Sequence, residues 1–251
     1  MKPPPTDASA SSPTCSCRVA FFGGSFDPPH LGHLAVARAA RQALRLDRVL
    51  FAPVGAQPLK PKGSTASFPD RLAMTELAIA GEPGFEISLA DAPITAGGPN
   101  YTLETLRALH AGLPADGSLF CLMGADSFAS LGRWHGAAEI PFAAALVVAS
   151  RPGQELGDLA RFLPQGLTLE PANDEDPAHP PGPHASAESR PYQLRNSAGE
   201  TAPFYLLPGL DIEISASEIR AQVRSFSPDV AVPRSVPAPV SDYIRLHNLY
   251  R

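Results

Sequence analysis

The sequence predicts an α/β fold of the Rossmann-like, doubly wound type, with a mostly parallel sheet and a C-terminal helical segment. Three observations predict it: short apolar runs alternate with stretches of helical period, the first run ends in adjacent glycines, and two later runs are apolar almost throughout. Apolar residues recurring every 3.6 positions line one helix face, whereas strands covered by helices on both sides read as continuous apolar runs.

Taken in order, Arg18-Val-Ala-Phe-Phe22 reads as a buried strand that stops at the turn Gly23-Gly24. Leu31 to Leu46 follows as a helix with arginines on its outer face, and Arg48 to Pro53 as a second strand. Strand, helix and strand in so short a span make a βαβ unit, whose right-handed crossover leaves its two strands parallel. The alternation continues with a helix over Phe68 to Ala80, a strand over Phe85 to Ala90, and a helix over Thr102 to Ala111 behind the turn Gly97-Gly-Pro-Asn100. Ser118 to Met123 and Ala144 to Ala149 are the two central strands. Beyond them come a strand at Phe204 to Leu207 and helices over Ser215 to Ser225 and Ala238 to His247.

Two stretches fall outside this pattern. Residues 1–17 are small, polar and proline-rich, which predicts a disordered tail, because such a segment has too little apolar surface to offset the entropy of ordering. Pro171 to Pro203 is dense in proline and carries His179 and His184, and it is read as a long surface insertion in a single domain spanning residues 18–251.

Composition narrows the functional classes. A formal net charge of -5 supplies no general basic field for a nucleic-acid backbone, so any phosphate site must be local. No apolar stretch is long enough for a spanning helix, so no membrane association is expected. Three cysteines, Cys15, Cys17 and Cys121, do not make a disulfide framework, and a reducing cytoplasm is the expected compartment.

The stretch with chemical content is Gly23-Gly-Ser-Phe-Asp-Pro-Pro-His-Leu-Gly-His33, at the carboxyl end of the first strand, where open parallel sheets bind ligands. The glycines let a ligand approach the backbone. Asp27 is expected to cap the next helix with Pro28 at its first position, placing His30 and His33 on one face at a helix N-terminus, where an anion is favoured. With Asp27 as the one nearby further ligand, the two histidines are read as phosphate donors and no metal site is assigned.

This stretch resembles the His-x-Gly-His motif of the nucleotidyltransferase superfamily, in the form typical of bacterial nicotinate-nucleotide adenylyltransferases. Far along the chain, Ile214-Ser-Ala-Ser-Glu-Ile-Arg220 resembles the same family's second motif. Ser215 and Glu218 also have capping-box spacing, and Arg220 lies one turn into that helix. The resemblance implies adenylyl transfer from ATP, brought with Mg²⁺, to nicotinate mononucleotide, with His33 first and His30 second as donors to the α-phosphate and Arg220 on the β- and γ-phosphates.

The resemblance further implies ATP contacts from Gly23, Gly24, Ser25 and Phe26, from Ser215 and Ser217, and from Asp126 in Gly124-Ala-Asp126 and Arg151 in Ser150-Arg-Pro-Gly153. Asn100-Tyr-Thr102 and Trp134 match the family's acceptor-nucleotide elements, although Thr102 and Asp126 suit plain helix caps and Trp134 suits a core gap. Lys60 keeps a charge between both substrates, while Leu59 stands where relatives carry a histidine. Arg71 matches a family arginine and equally fits the outer face of an amphipathic helix. Pantetheine-phosphate adenylyltransferases share the first motif but lack the later series, and a non-catalytic nucleotide sensor would keep the fold without needing the histidines.

Overall fold

A computed structural model describes residues 17–60, 63–150, 159–172, 191–207, 214–225 and 234–251. Its sheet has eight strands: β1 (Arg18–Gly24), β2 (Arg48–Pro53), β3 (Phe85–Ile87), β4 (Ser118–Gly124), β5 (Ala145–Ala149), β6 (Leu167–Pro171), β7 (Pro191–Asn196) and β8 (Thr201–Leu207). They lie in the order β3-β2-β1-β4-β5-β8-β7-β6. The six strands from β3 to β8 in that order pair in parallel, and β7 and β6 add an antiparallel edge.

Alternation along the strands feeds two cores. Val19, Phe21, Cys121, Met123, Leu146 and Val148 face one side of the sheet and pack with Leu103 and Leu106 of α3 (Thr102–Ala111). Ala20, Phe22, Phe120, Leu122 and Val147 face the other and pack with Leu34, Ala37, Ala40 and Leu44 of α1 (Leu31–Leu44). Helices on both faces explain why β4 and β5 read as unbroken apolar runs. A third cluster contains no strand side chain. It joins Met74 and Ala78 of α2 (Phe68–Ile79) to the helices that close the chain, and the short α4 (Ala125–Ala129) and α5 (Ile140–Ala143) precede these as α6 (Ala216–Ser225) and α7 (Ala238–Leu246).

Several expectations need correction. The first helix begins at Leu31, with extended His30 as its N-cap, so Asp27 and Pro28 stand outside it. It stops at Leu44 because Arg45 turns left-handed, at φ 49°. The third strand ends at Ile87 and not at Ala90.

The larger difference lies in the segment read as an insertion. Residues 173–190 lie outside the described residues, but Pro191–Asn196 and Thr201–Pro203 are strand, and Leu194 is fully buried in the first core. β6 was not anticipated either. Prolines had argued against strands here, because proline has no N–H for the ladder. Pro203 is tolerated because it pairs with Gln193 of β7, while pairing with β5 begins one residue later, at Phe204.

Candidate active site

The strand order reverses between β1 and β4, the place where doubly wound sheets open a crevice beyond their carboxyl ends. Pairing of β1 with β4 ends at Phe21 and Cys121, three residues short of Gly24 and Gly124. The two strand ends therefore part, and a methyl group added at Gly124 would meet nothing within 4 Å. Gly23 is needed for a different reason: a Cβ there would lie 2.7 Å from the Phe21 ring, which closes the floor.

His30 and His33 stand at this opening with their rings stacked, centroids 3.7 Å apart. The His30 backbone N–H donates to His33 Nδ1 at 3.1 Å. Phe22 and Phe26 press edge-on against the His33 ring, at 6.1 and 5.0 Å. Burial lowers the His30 pKa to about 4, and burial together with His30 holds His33 well below the ordinary histidine value. Both rings are thus neutral near pH 7. Since Nδ1 of His33 accepts a hydrogen bond, its proton is on Nε2, which makes Nε2–H the donor available to an oxyanion. Phe26, almost fully buried, shapes the site by packing, so any ligand contact there falls to its backbone.

Asp27 is the hub of the site. Its buried carboxylate accepts from Thr65 N at 2.6 Å, Ala66 N at 3.0 Å and the Tyr250 hydroxyl at 2.8 Å. Its carbonyl oxygen accepts from Arg220 Nη1 at 2.6 Å, and the same nitrogen lies 3.9 Å from Oδ2. Arg220 Nη2 donates to Ser217 Oγ at 3.1 Å, and Ser215 Oγ accepts from Ser217 N at the start of α6. The second motif is therefore carried onto the first across 193 residues of chain.

Lys60 Nζ donates to Ser25 Oγ at 2.8 Å, and burial and then the Arg220 charge lower its pKa. Arg71, for which a helix exterior was one of two readings, is buried: Nη1 donates to Ser25 O at 2.7 Å and Nη2 to Val54 O at 2.8 Å, while Nε has no partner. Lys60, Arg71 and Arg220 thus surround one carboxylate, leaving a local excess of positive charge in an acidic protein. Leu59 beside Lys60 is exposed.

The acceptor residues are placed unevenly. Asn100 is committed to the fold, with Oδ1 accepting from Ala56 N at 3.0 Å and Nδ2 donating to Ala92 O at 2.9 Å. Tyr101 is the exposed N-cap of α3 and lies 4.4 Å from the His135 ring, with Thr102 next in the helix. Trp134 is half-buried against the first core and donates to Ser130 Oγ at 3.0 Å. Asp126 is exposed in the first turn of α4, whose N-cap is Gly124. Arg151 lies outside the described residues.

Asp91 carried no signal in the sequence. It is buried, accepts from the Thr105 hydroxyl, and its Oδ2 would lie 3.6 Å from a Cβ at Gly23. Burial raises its pKa, and burial together with Asp91 pushes the Cys121 thiol up to about 12. Among the described residues, no three His, Cys, Asp or Glu side chains group as a metal site. No helix among them is long and apolar enough to cross a membrane.

Comparison with known proteins places this geometry. A family model described as cytidylyltransferase-like matches residues 21–222. A probable nicotinate-nucleotide adenylyltransferase of Roseiflexus sp. (strain RS-1) is 36% identical over 94% of this chain and 99% of its own length. The chain belongs to the nicotinate-nucleotide adenylyltransferase family. Another probable member, from Geotalea daltonii, is 35% identical over 93% of this chain and 98% of its own. The fold of this family is also seen in Plasmodium falciparum nicotinic acid mononucleotide adenylyltransferase complexed with NaAD, at a TM-score of 0.64 and 15% identity, covering 93% of this chain and 97% of that one. Like its relatives, this family member is a nucleotidyltransferase of mixed α/β architecture.

Proposed function

We propose that the protein transfers the adenylyl group of ATP to nicotinate mononucleotide. A phosphate oxygen of the mononucleotide attacks the α-phosphorus, the bond to the bridging oxygen breaks, and pyrophosphate leaves as nicotinate adenine dinucleotide forms. The observation that carries this reading is the Arg220 contact with the first-motif loop, which sets a guanidinium beside Lys60 and the paired histidines at the sheet's crevice.

The roles follow from charge development. Negative charge grows on the α-phosphate oxygens and on the leaving pyrophosphate, so fixed donors aimed at those atoms lower the barrier without a protein nucleophile. His33, through Nε2–H, is the donor to the α-phosphate and His30 assists it. Arg220, Lys60 and the Ser217 hydroxyl hold the β- and γ-phosphates. The neutral state of both histidine rings means that they need lose no proton before the nucleotide binds. Tyr101, Thr102 and Trp134 are assigned to the acceptor, with the pyridine ring against the aromatic side chains.

Mg²⁺ fits as a companion of the triphosphate: Asp27 is fully engaged by protein donors, and Mg²⁺ prefers substrate phosphates to an all-protein cage. Bound there, it would neutralise phosphate charge. The described cysteines, Cys17 and Cys121, are free, in keeping with a reducing cytoplasm as the place of reaction.

Pyrophosphate release by purified protein supplied with ATP and Mg²⁺ tests the proposal, run in parallel with nicotinate and nicotinamide mononucleotide. Release with the acid form is the expected result. Tight binding of dinucleotide with no release from either acceptor would overturn the reading in favour of a nucleotide sensor.

A further inference from the structure

Tyr250 has no place in the chemistry above, yet it is one of the few polar side chains buried at the centre of the site. It sits in the third cluster with Val240 and Ile244, and its backbone is left-handed, at φ 66°. An ordinary packing residue would not need that conformation, and the phenol would not need to reach the first-motif loop. Burial and the neighbouring Asp27 push the phenol above its ordinary pKa, so it is a permanent donor near neutrality.

We propose that Tyr250 is a positioning residue: its hydroxyl fixes the Asp27 carboxylate, and thereby the Asp27 carbonyl to which Arg220 is docked. The link is short. Tyr250 Oη to Asp27 Oδ1 is 2.8 Å, and Arg220 Nη1 to Asp27 O is 2.6 Å, with Asp27 itself between two other donors, Thr65 N and Ala66 N. The two backbone amides come from the loop before α2, and Tyr250 and Arg220 come from the C-terminal cluster. One carboxylate therefore sets the distance between three separate pieces of chain. Without the phenol, Oδ1 keeps Ala66 N alone, and a carboxylate beside the Arg220 and Arg71 guanidinium groups would turn toward them. The carbonyl that seats Arg220 would turn with it.

This inference rests on the assignment of Arg220 to the triphosphate, and its test separates the two. Tyr250→Phe keeps the ring in its cluster and removes one hydroxyl. Calorimetric binding of a non-hydrolysable ATP analogue should weaken about tenfold, the order expected when a hydrogen bond to a charged group is lost. The KM for the acceptor should stay within about twofold. In an Arg220→Ala background, Tyr250→Phe should add no further loss, because the residue it positions is gone.

Tyr243→Phe is the control. It deletes a comparable phenol contact in the same cluster, Tyr243 Oη to Asp70 Oδ1 at 3.1 Å, and should change the melting temperature without changing ATP affinity. If Tyr250→Phe behaves like this control, or weakens ATP equally with and without Arg220, the positioning role is wrong. If the wild-type protein binds ATP but releases no pyrophosphate with either mononucleotide, the proposed reaction fails while the binding cycle still decides on Tyr250.

Discussion

The first-motif loop and the C-terminal cluster meet at one carboxylate, but they are built by different means. The loop, Gly23 to His33, is shaped by what lies under it: Phe21 closes the floor at Gly23, and Phe22 and Phe26 wedge the His33 ring. The C-terminal cluster is built without strand side chains, although α2, one of its helices, also packs on β2 and β3. It is held by α2, α6 and α7 packing on one another, and it delivers Arg220 and Tyr250 through hydrogen bonds to Asp27. The contrast shows a division of labour. The neutral donors sit on the apolar half, where burial keeps them uncharged, while Arg220 comes from the half that packs later in the chain and Lys60 and Arg71 come from the stretch between them.

Breaking the first half should have the largest effect. His33→Ala removes a positioned donor, and turnover in the pyrophosphate-release assay should fall on the order of 100- to 1000-fold. The melting temperature should move less than turnover does, because the strands beneath the ring are untouched. A comparable loss of stability with little loss of turnover would reverse the roles of the two halves.

Arg71 joins the halves, since it lies on α2 but caps the Ser25 and Val54 carbonyls. Arg71→Met keeps the length and leaves both acceptors unsatisfied, so denaturant unfolding should show a loss of about 3 kcal/mol. ATP affinity should fall as well, through the displaced Ser25 and its partner Lys60.

A smaller effect should separate the halves by pH. His30 titrates at 6.5 when exposed and at about 4 when folded, so between these values the unfolded chain binds the extra proton and stability falls as pH is lowered. The slope is absent above pH 6.5 and flattens below about 4, with a total of about 3 to 4 kcal/mol as an upper bound at 1.36 kcal/mol per unit. Urea titrations of wild type and His30→Gln at pH 7 and pH 5 should converge at the lower pH relative to the higher. An unchanged gap would mean that the histidine stack is not buried in the neutral form. The same comparison for Tyr250→Phe should show no pH slope in that range, because its phenol does not titrate there.

The sheet strands were legible because strand and helix periods are local, and because glycine at the end of β1 marks the turn directly. β6 and β7 were not. Their prolines mask the alternation, and Leu194 is recognisable as core only when β8 lies beside it. The burial of Arg71 and Asn100 was not legible for a related reason: a polar side chain at a surface-compatible position declares its burial through carbonyls and amides supplied by other loops.

The sequence by itself determined the alternation of elements, the doubly wound class and the two motifs that name the chemistry, since each depends on residues within a turn or two of one another. The tertiary structure alone decided that Asp27 is a hub and not a helix cap, that Arg220 docks on its carbonyl, and that Tyr250 completes the set. Those facts depend on contacts 193 and 223 residues apart. Such contacts form between surfaces that helix and strand packing brings together, and no periodicity along the chain encodes which of them will meet.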